Sequence, residues 1–244
     1  MKEAKKLLLF LSMFDLTNSK LEQIIETLGE NASIKSFLSD RRMEVFLSKA
    51  KYEHIKELYD ENRIENYIKN LANKDIQILT IFDEQYPEKL KNLPDAPLIL
   101  FCQGDISLFS KPSIAIVGSR KPTSYGRYVT DKFTRTLAKE GIVIISGLAY
   151  GIDSISHRMC LEAGGKTIAV LGGGLEEIYP SEHLSLAHEI AQKGLLISEY
   201  PPNKKATKYT FPQRNRIIAG LSDGVLITEA GLNSGTHHTR DFAL

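Results

Sequence analysis

Cysteine is scarce in this chain: two in 244 residues, Cys102 and Cys160. They lie far apart and fit no metal-ligand spacing, which argues against a disulfide framework and points to a reduced, cytoplasmic setting. Long apolar runs are also missing. No stretch approaches the roughly 20 apolar residues that a membrane-spanning helix needs, so no membrane partner is expected. The run KKLLLFLSMF at residues 5–14 has the basic and apolar parts of a signal peptide. It lacks a small-residue cleavage site, and helix-like sequence comes after it. No low-complexity tract or internal period is present, which leaves out solenoid architectures. Excess charge is absent too. The net charge is +1, and by itself it speaks neither for nor against a polyanionic partner. Its distribution is uneven: residues 1–110 carry 15 Lys and Arg against 18 Asp and Glu, while residues 111–244 carry 16 against 12. Any anion-binding surface is therefore expected in the second half.

What is present divides into two patterns. Up to about residue 75 the periodicity is helical, with Leu21, Ile24, Ile25 and Leu28 on one face, and it predicts a small all-helical domain over 1–75. Two short apolar runs, IQILTIF and APLILFC, flank a turn-rich segment and form a connector packed on the next domain. From Pro112 onward short apolar strands alternate with helices, which predicts an α/β fold with a doubly wound, mostly parallel sheet covered on both faces. The second domain is read as residues 76–244. In such sheets ligands sit beyond the carboxyl ends of the strands.

The candidate motifs fall at those ends. In VGSRKPTSYGR, Gly118 permits a tight turn, Ser119 and Thr123 can bond an oxyanion or cap a helix, and Arg120 is a planar cation suited to phosphate. An ordinary strand-to-helix turn with a solvated arginine fits the stretch as well. A dinucleotide fingerprint needs three glycines and an acid after the second strand, and here that strand ends IISGLAYG. No redox cofactor is expected. In SGLAYGIDSISHR, Asp153 and His157 are four residues apart and share a helix face; two ligands are too few for a metal, and a structural hydrogen bond is the commoner outcome. Gly147 and Gly151 permit close backbone approach. The run Gly172–Gly173–Gly174 admits a phosphate or simply turns. Ser234, Gly235 and Thr236 are a further anion cradle or a plain cap, and His237 and His238, being adjacent, are not read as a metal pair.

YPPNKKATKYTFPQRNRIIAGLS, residues 200–222, is the most informative. It holds Lys204, Lys205, Lys208, Arg214 and Arg216 with no acid, and Tyr209 and Phe211 lie among them. Single-stranded nucleic acid requires both components, because cations follow the backbone while aromatic faces stack on unpaired bases. The plain alternative is a solvated basic loop with Phe211 in the core.

Seven strings in one order, YPEKLKNLPDAPLILF, IAIVGSR, ISGLAYGIDSISH, TIAVLGGGLEEIYP, LISEYPP, FPQRNRIIAGLS and EAGLNSGT, closely resemble the DNA-processing protein A (DprA, or Smf) family from about Ile76 onward. The resemblance implies an extended Rossmann-like domain that binds single-stranded DNA without catalysis or cofactor. It also implies dimerisation and loading of the RecA recombinase onto DNA taken up in natural transformation. Carried over residue by residue, it assigns the DNA pocket to Arg120, Lys208 and Phe211, with Arg214 and Arg216 in the matching arginine-rich segment. On the single-strand reading, the turns at Gly118, Ser119, Gly147 and Gly173 let the backbone come close to the DNA. This sequence departs from the family pattern at Leu232 and His237. It also ends at Leu244, before the glycine-rich strand that normally continues the sheet, so the domain reads as truncated at its C-terminus. The competing class is a nucleotide N-glycosidase of the lonely-guy phosphoribohydrolase type, and the glutamate it needs aligns with Thr239. A third reading is an interaction protein that docks partners on its helices and keeps vestigial phosphate turns.

Overall fold

The computed structural model describes residues 2–231. Six helices come first: α1 (Glu3–Ser12), α2 (Asn18–Leu28), α3 (Ile34–Ser39), α4 (Arg42–Leu47), α5 (Lys49–Glu57) and α6 (Glu61–Asn73). Side chains fix several of their starts. Thr17 accepts from the Lys20 N–H, Ser33 and Ser36 form a reciprocal capping box, and Asp60 accepts from the Asn62 N–H at 2.9 Å. The run that resembled a signal peptide is α1. Its Leu7, Leu8, Phe10 and Leu11 are buried in one core with Leu21, Ile24, Phe37, Met43, Ile55 and Ile64.

After α6 come β1 (Ile76–Thr80), α7 (Glu88–Lys91), β2 (Ile99–Gly104), β3 (Ser113–Gly118), α8 (Ser124–Lys139), β4 (Val143–Ser146), α9 (Ile152–Glu162), β5 (Thr167–Val170), α10 (Leu184–Lys193), β6 (Leu195–Ser198), α11 (Thr210–Leu221) and β7 (Val225–Glu229). The described chain groups into two compact units, one of residues 1–86 with 94–100, the other of Pro87–Leu93 with the chain from Phe101 onward. The division therefore falls later than the expected boundary after residue 75. β1 packs on α6, and the Ile81 N–H donates to the Leu98 carbonyl, which ties both connector runs to the helices.

Among the described residues seven strands form one sheet in the order β1-β2-β6-β5-β4-β3-β7. β3, β4, β5, β6 and β7 pair in parallel, and β2 pairs antiparallel with β6. Every residue of β4, β5 and β6 is buried, as expected of short Val, Ile and Leu runs covered on both faces. Helices α8, α9 and α10 pack side by side, and α11 contacts β3, β4 and β5 together with α7. The expected doubly wound fold is thus present. The chain steps from β3 to β6 in one direction and then returns past β3 to lay down β7, so the order reverses between β3 and β7. That reversal is where a ligand crevice is expected.

Asp153 and His157 do not meet. Asp153 accepts from the Gly147 N–H at 3.1 Å, whereas Nδ1 of His157 lies 2.7 Å from Oγ1 of Thr167. The Thr167 hydroxyl gives its own proton to the Ile144 carbonyl at 2.7 Å, so His157 is the donor and holds its proton on Nδ1. Among the described residues no group of three His, Cys, Asp or Glu is placed to hold a metal ion. None of the described helices is long and apolar enough to cross a membrane.

Burial lowers the pKa of His157 from 6.5 to about 3. As pH falls below 6.5 the unfolded chain takes up a proton that the folded chain refuses, so stability drops until pH reaches about 3. Thermal melts across this window are expected to show a shallower acid decline for His157→Gln than for the parent chain. Equal declines would show that His157 does not carry this dependence.

Candidate functional site

The loop after β3 carries Arg120, which is exposed, and the first turn of α11 carries Phe211, which is half-buried. Although 91 positions separate them in the chain, the Arg120 Cζ lies 5.6 Å from the centre of the Phe211 ring. The Tyr179 ring flanks Phe211 on another side, with centroids 5.5 Å apart and planes inclined at 50°. Beneath the ring is Gly172, where a Cβ would stand 2.8 Å from Phe211 Cδ1. Phe211 therefore lies against the glycine run with part of its ring open to solvent, between a cation and a second aromatic.

Lys208 is exposed on the loop leading into α11, and its ammonium sits over the Tyr209 ring at 5.0 Å from the centroid. Tyr209 is itself 69% exposed. This loop supplies a second pairing of cation and aromatic ring, two residues before Phe211.

Arg214 and Arg216, expected to line the pocket, are buried instead, at 4% and 5% exposure. Nη1 of Arg214 donates to the Gly147 carbonyl at 2.5 Å and to the Val170 carbonyl, tying the ends of β4 and β5 to α11. Burial lowers its pKa to about 10; the carboxylate of Asp153 opposes the shift, and the nearby charge of Arg120 adds to it. Arg214 is therefore still cationic at neutral pH and places a positive charge under the site without touching solvent. Burial likewise raises the pKa of Asp153, against the pull of Arg214. Arg216 makes a buried ion pair with Glu199 at 2.5 Å. Both arginines are engaged within the protein, Arg214 by the strand-end carbonyls and Arg216 by Glu199.

The turn glycines serve the same internal packing. A Cβ at Gly147 would stand 2.2 Å from Arg214 Nη1, one at Gly118 would stand 2.7 Å from the Glu229 carbonyl oxygen, and one at Gly173 would stand 2.8 Å from the Ala206 nitrogen. At these three positions the absence of a side chain makes room for neighbouring protein atoms. Ser119 is similarly engaged: its N–H donates to the Glu229 carbonyl at 2.7 Å and its hydroxyl oxygen accepts from the Lys121 N–H at 3.1 Å.

Glu229 fills the crevice at the reversal of strand order. It ends β7, and its carboxylate accepts from the Thr123 N–H at 3.0 and 3.1 Å and from the Thr123 hydroxyl, at the start of α8. The Thr123 bonds hold the Glu229 carboxyl below the usual range. A helix N-terminus that would otherwise receive a phosphate is thus capped from within. Arg120 and Lys121 of the β3–α8 loop are exposed to solvent.

Sequence reasoning missed Tyr179 and Glu229. Tyr179 was visible only as the tail of the glycine-run motif, and Glu229 only as one acid at the end of an apolar strand. The motif at Ser234–Thr236, with His237, His238 and Thr239, lies outside the described residues.

The fold and site define a doubly wound α/β protein whose exposed cation and aromatic groups gather beyond the carboxyl ends of the strands. The family model for DNA recombination-mediator protein A matches residues 77–244, and the chain belongs to that family. It is 46% identical over 162 residues to the DNA processing protein DprA of Bacillus subtilis, covering 66% of this chain and 54% of the relative. The solved structure of DprA from Streptococcus pneumoniae superposes with a TM-score of 0.86 at 33% identity, covering all of this chain and 84% of that one. A second solved structure, of DNA processing protein A from Helicobacter pylori, is described for its single-stranded DNA binding mode. It gives a TM-score of 0.63 at 38% identity over 68% of this chain and 76% of that one. The chain spans about half the length of the first two curated relatives it matches.

Loss of the Arg214 guanidinium leaves two carbonyls and the Asp153 carboxylate buried without it. Arg214→Ala is expected to cost about 3–5 kcal/mol of unfolding free energy, whereas Arg120→Ala on the surface stays within about 0.5 kcal/mol. Urea titrations of both variants check this. An Arg214→Ala midpoint equal to that of the parent would refute the bracing role.

Proposed function

We propose that this chain binds single-stranded DNA and performs no chemistry on it. The observation that carries the reading is the Arg120 guanidinium set against the part-exposed ring of Phe211, with Tyr179 alongside. The cation holds a backbone phosphate, and the ring offers its face to an unpaired base. Such stacking contributes about 1–3 kcal/mol per base whatever the base. Lys208 and Tyr209 extend the same chemistry along the loop, and the buried charge of Arg214 raises the local positive potential. A duplex keeps its bases stacked on each other and gains only the phosphate contact.

The engagement of the titratable groups supports a binder over an enzyme. Glu229 caps α8, Asp153 is buried beside Arg214, and His157 is buried and neutral. The glycosidase alternative requires a glutamate where the sequence has Thr239. The relatives support the same choice of ligand, since the Helicobacter pylori protein is described by its single-stranded DNA binding. We extend the proposal to the setting that the family resemblance implies: a cytoplasmic homodimer that protects incoming single strands and helps load RecA during natural transformation and recombination.

Oligothymidylate titrations at several salt concentrations test the assignment. Phe211→Ala is expected to weaken binding by about 5- to 150-fold, the equivalent of one stacked base, with the salt slope unchanged. Arg120→Ala is expected to flatten the log–log slope by about 0.7, the loss of one phosphate contact. If neither variant differs from the parent, the site is elsewhere.

A further inference from the structure

Arg120 also borders a cleft whose lining does not include Phe211. This cleft, about 490 Å³ in volume, is lined by Arg120, Lys121, Arg127, Tyr150, Gly151, Ser154 and Ile155. Three of these residues are cations and none is an acid. Arg120, Lys121 and Arg127 are all exposed, and Tyr150 is 39% exposed.

The aromatic in this cleft is held in place. Leu148, buried two residues earlier, has φ +61°, a left-handed conformation that a branched side chain rarely adopts. Its carbonyl accepts from Nδ1 of the buried His183 at 2.8 Å, and the Tyr150 ring meets that same histidine edge-on, with centroids 5.3 Å apart. The Tyr150 hydroxyl is bonded to Glu182, which occupies the nearest carboxylate on that side. At Gly151, with φ +77°, a Cβ would stand 2.2 Å from the Ser119 carbonyl oxygen, so the wall bearing Tyr150 lies directly against the loop bearing Arg120. The Glu229 carboxylate, which feels the charge of Arg127, is already committed to Thr123, and Asp131, one turn along α8, is paired with Arg135.

We propose that this cleft is a second nucleotide subsite, in which Arg127 and Lys121 hold a further backbone phosphate and the Tyr150 ring stacks on a further base. The inference rests on the single-strand reading above and adds a direction to it. The strand passes from the Phe211 and Tyr179 platform over Arg120 into the cleft, and Arg120 belongs to both. Charge complementarity selects the occupant, because three cations and no acid line the cleft beside one aromatic face, which matches a polyanion carrying unpaired bases.

The test compares oligothymidylates about four and about twelve nucleotides long, within the usual span of single-strand sites. Arg127→Ala is expected to weaken the longer oligomer several-fold and to lower its salt slope by about 0.7, with the shorter one bound as before. Tyr150→Ala is expected to weaken the longer oligomer about tenfold at unchanged slope. Lys139→Ala, on the exposed far end of α8, controls for general surface charge and leaves both unchanged. If Arg127→Ala and Tyr150→Ala bind both lengths like the parent while Phe211→Ala weakens both, the cleft is off the path and the first reading stands alone. If the parent binds neither length, the first reading fails and this one fails with it.

Discussion

The site depends on one buried cation. Arg214 reaches from the first turns of α11 to the carbonyls that end β4 and β5, and it faces the equally buried Asp153 across the loop between β4 and α9. Phe211 sits three residues earlier on the same helix, so the bonds that fix Arg214 also set how the ring lies against Gly172. A guanidinium suits this task because its planar fork can serve two carbonyls at once and keeps its charge even where burial lowers its pKa to about 10. The glycine at position 147 is required by the same contact, since any side chain there would occupy the space of the guanidinium.

A second constraint decides what kind of ligand the fold can take. In many doubly wound proteins the helix after the first strand leaves its N-terminus open to a pyrophosphate at the reversal of strand order. Here the carboxylate of Glu229 fills that position and satisfies Thr123. A diphosphate would have to displace a charged group already held by hydrogen bonds. On the proposed reading, anion binding falls instead to the exposed Arg120 and its neighbours, and an open surface accommodates a chain better than a small cofactor.

Much of this was legible in the sequence, and what was not has a common cause. Runs such as IAIV, VIIS and LLIS identify buried parallel strands because nothing in them is suited to water, and the alternation with helices gives the winding. Arg120 and Phe211 stood out by residue type only as candidates, each beside a plain alternative, and their approach to 5.6 Å became visible only in the fold. The burial of Arg214 and Arg216 could not be read from the sequence, because the groups that compensate them, Asp153, Glu199 and the strand-end carbonyls, are remote in the chain. A stretch rich in Lys and Arg therefore looked uniformly solvated although its two arginines on α11 point inward. Glu229 and Thr123, 106 residues apart, escaped for the same reason. The turn glycines were located correctly, but their role depended on what stands opposite each missing Cβ, which only the fold reveals.

The proposed function rests on unpaired bases stacking on Phe211 and Tyr179 beside a phosphate held by Arg120. Photo-crosslinking with an oligodeoxynucleotide carrying halogenated uracil, followed by peptide mapping, reads this contact directly. Adducts are expected on the peptides that contain Phe211 and Tyr179, suppressed by an excess of unlabelled single strand. Adducts confined to the helical unit of residues 1–86, with none at either aromatic, would contradict this placement of the strand.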